Sequence, residues 1–122
     1  MLSGIKDYYD ERHLNRLKNE NIHNSSTTQV IKVPTKKLET IFDENNVTHI
    51  NYLSIDVEGA EFEVIKSINF DKVFIDIIGF ENNYPDSSIN IIEYLKNNGF
   101  ILVNTTANKF DLFMINNTSK FI

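Results

Sequence analysis

The sequence predicts an α/β domain: a mostly parallel sheet with flanking helices and an antiparallel final strand. From residue 50 onward, segments typical of strands and helices alternate, which is the order that builds a parallel sheet covered by helices. Residues 73–80 are almost entirely apolar, as expected of a strand buried on both faces, so this strand should be central. Two apolar segments joined by a polar turn, 100–103 and 110–115, then close the chain as strands.

The part of the chain before this alternation is more polar. Residues 1–28 predict a loop with one short helix, and residues 29–33 alternate like a strand that the following proline ends, because proline lacks a backbone donor. Thr35 is placed to cap a helix that stops around Asn46. The apolar face of that helix is formed by Leu38, Ile41 and Phe42. We therefore separate a polar segment, residues 1–28, from a folded part, residues 29–122.

The alternating part begins with a strand at residues 50–55 and a helix at residues 60–68. A further helix opens at Pro85, and Gly99 supplies the left-handed conformation that ends it. The inward side chains are expected to be Val64, Ile65 and Ile68 in the first of these helices, and Ile92 and Leu95 in the second.

Composition excludes several classes of protein. The net charge of -5 disfavours binding to nucleic acid or to anionic membranes, which depends on Lys and Arg. No Cys is present, so disulfides, thiolate nucleophiles and Cys-based zinc sites are ruled out. No apolar run approaches the roughly 20 residues of a membrane span, and the start of the sequence lacks the apolar core of a signal peptide. We expect a cytoplasmic location.

Two acidic clusters follow the predicted parallel strands. Asp56, Glu58 and Gly59 come after the strand at 50–55, and Glu81 directly follows the buried strand. Ligands of open α/β sheets bind beyond the carboxyl ends of the strands, which makes these residues candidates for a site. Gly59 would let the backbone turn tightly and approach a ligand. The alternative is helix capping and dipole compensation for the first cluster, and a solvated strand end for Glu81.

Other candidates carry weaker signals. His13 and Arg16 would form a substrate-contacting pair on a lid helix, or simply a solvated helix face. Tyr8, Tyr9 and Tyr84 would stack on an adenine or a sugar, or pack internally. Asp56 with Glu58 is a poor match to the paired aspartates of a phosphatase, and the Gly-x-Ser-x-Gly elbow of serine hydrolases is missing from the sequence.

Residues 52–65, YLSIDVEGAEFEVI, resemble the signature of FkbM-type methyltransferases, in which I-D-x-E-G-x-E follows a leucine and a lysine or serine. Val33, Pro34 and Leu38 match the V-P-x-x-x-L segment that precedes this signature in the family. The strand ending at Glu81 matches the acid-terminated strand that follows it. The stretch that contains Ser3, Gly4, His13, Asn15 and Arg16 is also similar to the family. The resemblance therefore covers nearly the whole chain.

The resemblance implies a partial, Rossmann-like methyltransferase fold that corresponds to the carboxyl-terminal half of the domain. It also implies transfer of a methyl group from S-adenosylmethionine to a hydroxyl of a sugar or small metabolite. Asp56, Glu58 and Glu81 are then the candidate catalytic residues, with Asp56 shaping the reacting centre and either glutamate acting as base or as ligand of the acceptor hydroxyl. Asp56 and Gly59 are the candidate cofactor-binding residues. A divalent ion between Asp56 and Glu81 with Asn82 is left open.

Two elements of such methyltransferases have no counterpart in the sequence: the glycine-rich turn that receives the cofactor's methionine part, and the acid-terminated strand that holds its ribose. The glycines stand far apart, at positions 4, 59, 79 and 99. The alternative function is therefore a non-catalytic or partner-dependent interaction module from a truncated or split methyltransferase. The strand at 50–55 would have a bare edge, which predicts a front-half partner chain or a homodimer.

Overall fold

The structure, a computed structural model, describes residues 29–103 and 110–122. The described residues fall into two compact units: residues 29–35 with Val57–Ala60, and Lys36–Asp56 with Glu61–Ile122. Every helix and strand described below belongs to the second unit. None of these helices is long and apolar enough to cross a membrane.

The described residues of the second unit form a four-stranded sheet with three helices. Its elements, in chain order, are α1 (Leu38–Glu44), β1 (His49–Ile55), α2 (Glu61–Lys66), β2 (Phe74–Glu81), α3 (Pro85–Asn97), β3 (Phe100–Leu102) and β4 (Asp111–Asn116). The strand order is β1-β2-β4-β3, with β1 and β2 parallel and β4 antiparallel to both of its neighbours. The predicted fold class is confirmed. The apolar strand β2 lies between β1 and β4, as its sequence predicted.

The core contains side chains from the sheet and the helices. Ile78 of β2 and Met114 of β4 are register partners, and both are completely buried. Ile65 of α2 and Leu95 of α3 are also completely buried. Full burial of one such side chain is worth about 1.5–3 kcal/mol relative to exposure. Burial of such side chains, rather than intrinsic helix propensity, therefore stabilises a helix as short as the 6-residue α2.

The predicted strand at residues 29–33 is wrong. Residues 29–37 have no regular secondary structure, and Val30, Ile31 and Val33 are exposed. Alternation of apolar and polar residues makes a strand only where a neighbouring strand supplies hydrogen-bond partners, and none of the strands described pairs with this segment.

The predicted cap at Thr35 is also wrong. Helix α1 begins at Leu38, its N-cap position is Lys37, and no side chain of the N-cap residue closes it. The first free N–H groups are satisfied by a distant residue instead. Ser67 accepts hydrogen bonds from the Leu38 N–H through Oγ (3.1 Å) and from the Glu39 N–H through its carbonyl (3.0 Å). A tertiary contact thus replaces the local cap.

Both predicted helix ends are confirmed. Asn46, just after α1, has a φ of 54°, and Gly99, just after α3, has a φ of 88°. Both are left-handed conformations that favour asparagine and glycine. The buried stripe of α3 is formed by Ser88, Ile91 and Leu95, so it is centred on Ile91 rather than on the predicted Ile92.

Gly79 of β2 allows a close approach by β1. A Cβ atom at position 79 would lie 2.5 Å from the Tyr52 hydroxyl oxygen and 3.2 Å from Cδ1 of Phe113. The Tyr52 ring therefore lies against the β2 backbone, beside the Phe113 ring at a centroid distance of 6.4 Å. Half of Tyr52 (51%) nevertheless remains exposed on the edge strand.

Candidate active site

The chain turns sharply after β1. Asp56 follows the buried Ile55 directly and is exposed. In the first unit, Glu58 and Gly59 both have left-handed backbones, with φ of 54° and 108°. The tight turn predicted at Gly59 is present. The left-handed conformation of Glu58 was not expected, because a residue with a Cβ adopts it at a steric cost of about 1–2 kcal/mol.

The structure brings Asp56 and Glu81 together. One carboxylate oxygen of each lies within 4.8 Å of the other. The sheet register explains the proximity: Ile55 is the partner of Phe80 in the parallel pair β1–β2, so the residues that follow them emerge side by side. Asp56 is exposed and Glu81 is half-buried. The two acids therefore share the carboxyl edge of the parallel strands, where ligands of open α/β sheets bind.

Asp111 is a third acid at this edge, and sequence reasoning missed it. It is the first residue of β4 and the register partner of Glu81. The Asn82 N–H donates to the carbonyl of Phe110 at 2.7 Å, which extends the pairing of β2 with β4 past Glu81. The predicted strand at 110–115 already contained Asp111, but only the antiparallel register places it opposite Glu81.

Asp56 does not occupy the N-cap position of α2. Helix α2 begins at Glu61, so its N-cap position is residue 60, and Asp56 precedes the helix by a full turn. The acids of the first helical turn are Glu61, which is buried, and Glu63, which forms an ion pair with Lys66 at 2.6 Å. These two residues are placed to interact with the helix dipole.

The weaker candidates fall elsewhere. Tyr84 is buried at the N-cap position of α3, so its ring packs internally instead of presenting a stacking surface. Asn82 is half-buried. Tyr8, Tyr9, His13 and Arg16 lie outside the described residues.

A second polar cluster lies at the other end of the parallel strands, around Asp76 of β2. Asp76 is 1% exposed, and its carboxylate accepts hydrogen bonds from the Ser119 hydroxyl and from Asn51 Nδ2 (3.1 Å), with His49 Nε2 at 2.7 Å. The Ser119 hydroxyl, followed by His49 and Asn51, holds the pKa of Asp76 below its usual range, although burial acts in the opposite direction. Sequence analysis did not predict this cluster, because Asp76 is a single polar residue in an otherwise apolar strand and its partners are distant in sequence.

Among the described residues, the pair formed by Asp56 and Glu81 is best suited to bind a cation. Calcium and magnesium prefer oxygen ligands, at about 2.0–2.6 Å, so two oxygens bound to one ion lie at most about 5 Å apart. The Asp56 and Glu81 oxygens satisfy that limit. The same negative potential would attract the positive sulfonium of S-adenosylmethionine, so the geometry fits either kind of cation.

Sheet order and acid placement together define an α/β domain with a candidate site beyond the carboxyl ends of its parallel strands. The family model described as the Methyltransferase FkbM domain matches residues 4–102, most of the chain. The chain therefore belongs to the FkbM methyltransferase domain family, which confirms the resemblance seen in residues 52–65. Comparison with curated proteins and with solved structures finds no match.

Proposed function

We propose that this domain takes part in transferring the methyl group of S-adenosylmethionine to a hydroxyl group of a sugar or small metabolite. The observation that carries the proposal is the proximity of the Asp56 and Glu81 carboxylates, within 4.8 Å, at the carboxyl edge of the sheet. Family membership supplies the type of reaction. The acceptor class rests on the resemblance alone.

The chemistry assigns a different task to each acid. S-adenosylmethionine, when bound, supplies a methyl group on a positively charged sulfur. Glu81 is half-buried, and we assign it to accept the proton of the acceptor hydroxyl as its oxygen attacks, with Glu58 as the alternative base. A positioned base of this kind contributes about 10²–10⁴-fold to a rate. The negative charge of Asp56 would stabilise the sulfonium, and the left-handed Gly59 would allow the cofactor to approach the backbone.

The fit to the cofactor is partial. The acids suit the sulfonium and acceptor end of the reaction, but the sequence offers no closely spaced glycines to cradle the rest of the cofactor. This feature favours a second candidate function: a partner-dependent module whose remaining cofactor contacts are supplied by protein outside residues 1–122.

Calorimetric titration with S-adenosylmethionine separates the two candidates. Micromolar binding to the chain alone supports the self-sufficient enzyme. Binding that appears only when a separately expressed front half of an FkbM-family protein is added supports the partner-dependent module. Absence of binding in both experiments contradicts the proposed function.

The role of Glu81 is tested in whichever preparation binds the cofactor. Transfer of radiolabelled methyl to a panel of sugars and hydroxylated metabolites is compared between wild type, Glu81→Gln and the control Glu93→Gln on the exposed face of α3. We expect Glu81→Gln to lower kcat by at least about 100-fold with little change in cofactor affinity. Equal activity of the two variants would remove Glu81 from the mechanism.

A further inference from the structure

Residues 117–122, which follow β4, are attached to the sheet through the buried side chain of Ser119. Ser119 is 3% exposed, and its hydroxyl donates a hydrogen bond to the carboxylate of Asp76 in β2. The same hydroxyl oxygen accepts a hydrogen bond from the Phe121 N–H at 3.1 Å, and the Ser119 N–H donates to the Asn116 carbonyl at 2.9 Å. Ser119 therefore connects the backbone of this segment to a buried carboxylate of the sheet.

Asp76 carries a negative charge beneath this segment. The Ser119 hydroxyl holds the pKa of Asp76 below its usual range, against the opposing effect of burial, so the carboxylate is ionised at neutral pH. Removing a carboxylate from water is costly unless a positive charge faces it. His49 of β1 can supply that charge, because its Nε2 atom lies 2.7 Å from an Asp76 oxygen. The His49 side chain is half exposed, so it can exchange a proton with the solvent.

We propose that His49, Asp76 and Ser119 form a pH-sensitive clasp for residues 117–122, in which protonation of His49 tightens the attachment of this segment to the sheet. When His49 is neutral, closure of the segment over Asp76 buries a carboxylate without a counter-charge. When His49 is protonated, the same closure buries an ion pair, and the attraction offsets part of the cost of leaving water. Histidines ordinarily change charge at about pH 6.5. The added stability is therefore present below this range and is lost as the pH rises through it.

The other side chains around the clasp do not respond to mild acid. Asn51 Nδ2 donates to the same Asp76 oxygen that His49 contacts, at 3.1 Å. The Phe74 ring meets the His49 ring edge-on, at a centroid distance of 5.4 Å. Lys120 is the charged residue of the segment itself and is exposed. Asparagine and phenylalanine have no charge to change, and lysines ordinarily stay positive throughout this range. His49 is therefore the group in these contacts that senses the pH.

Amide hydrogen exchange, measured by NMR on the full chain, tests the role of His49. Protection factors, corrected for the intrinsic exchange rate, are compared at about pH 5.5 and about pH 8, on either side of the ordinary histidine range. In wild type, the amides of residues 119 and 121 should be about 5-fold better protected at the lower pH, because a hydrogen bond between charged groups is stronger than one with a neutral donor. His49→Gln keeps a donor without the charge and should show equal protection at both pH values.

Lys120→Gln is the matched control, because it removes a positive charge from the same segment and leaves His49 in place. It should retain the pH dependence of wild type. A wild type without pH dependence, or His49→Gln with the same pH dependence as wild type, overturns the proposal. Loss of the pH dependence in Lys120→Gln would also overturn it, since Lys120 would then be the group that responds.

Ser119→Ala tests the attachment itself. The amide of residue 119 should lose protection at both pH values, while the Met114 amide, in the buried part of β4, stays protected and shows that the domain is folded. Unchanged protection of residue 119 would contradict the attachment. If Ser119→Ala does not fold, the comparison of wild type with His49→Gln decides alone. None of these measurements involves methyl transfer, so their outcome is separate from that of the proposed function.

Discussion

Neutralising Asp56 distinguishes a functional site from a structural role. The carboxylate oxygens of Asp56 and Glu81 lie within 4.8 Å of each other. Two unit charges at that distance repel by about 0.9 kcal/mol in water and by about 3.5 kcal/mol at an effective dielectric constant near 20. Because Asp56 is exposed, the lower figure applies. We expect Asp56→Asn to raise the free energy of unfolding by up to about 1 kcal/mol and Tm by up to about 5 °C.

The assay is thermal and urea unfolding at pH 7, in low salt and in 1 M NaCl. The gain should shrink in high salt, where the Debye length is about 3 Å. Glu93→Gln on the exposed face of α3 is the control, and it should change stability by less than about 0.5 kcal/mol. The same Asp56→Asn protein should bind S-adenosylmethionine more weakly. If Asp56→Asn instead lowers stability, or if its effect does not depend on salt, the repulsion argument is refuted and Asp56 has a structural role.

Three further predictions concern stability. Because the pKa of Asp76 is lowered, its contribution to stability is present above the ordinary value of 3.8 and is lost as the pH falls through the lowered value. The free energy of unfolding in urea should therefore fall more steeply between about pH 5 and 2 for wild type than for Asp76→Asn. Parallel pH curves for the two proteins would contradict this. Gly99→Ala should lower the free energy of unfolding by about 1–2 kcal/mol. The loss comes from the left-handed backbone alone, since the nearest atom to the added Cβ, Asn117 Oδ1, is 3.7 Å away. An unchanged urea midpoint would contradict this prediction. Leu95→Ala should lower the free energy of unfolding by about 2–5 kcal/mol in the same assay, because Leu95 is completely buried. The control on the same helix, Ile89→Ala, replaces an exposed side chain and should lower it by less than about 0.5 kcal/mol. Similar losses for the two variants would mean that α3 is not packed as described.

Local features of the sequence predicted most of the elements. The apolar run of β2 made it the central strand, and Asn46 and Gly99 marked the helix ends, because strand burial and left-handed conformations leave signals within a few residues. The acids after β1 and β2 were likewise recognised as candidates, because parallel strands end at a common edge. Their role in catalysis remains a prediction.

Local signals failed where a distant partner decides the outcome. Residues 29–33 alternate correctly but have no strand to pair with among the residues described. The amino end of helix α1 is capped by Ser67, which follows β1 and α2 in the chain, instead of by Thr35. No spacing rule links these positions, because the contact depends on how the helices pack on the sheet.

By itself, the sequence determined the fold class, the family motif in residues 52–65 and the order of the elements, since each of these is written in short-range periodicity and residue type. Only the tertiary structure decided that Asp111 faces Glu81 and that Ser119 and His49 surround Asp76. Such neighbours are set by strand register and chain reversal, which bring together side chains far apart in sequence. The energy of a charged group depends on those neighbours, and so the chemistry of the site is a property of the folded chain.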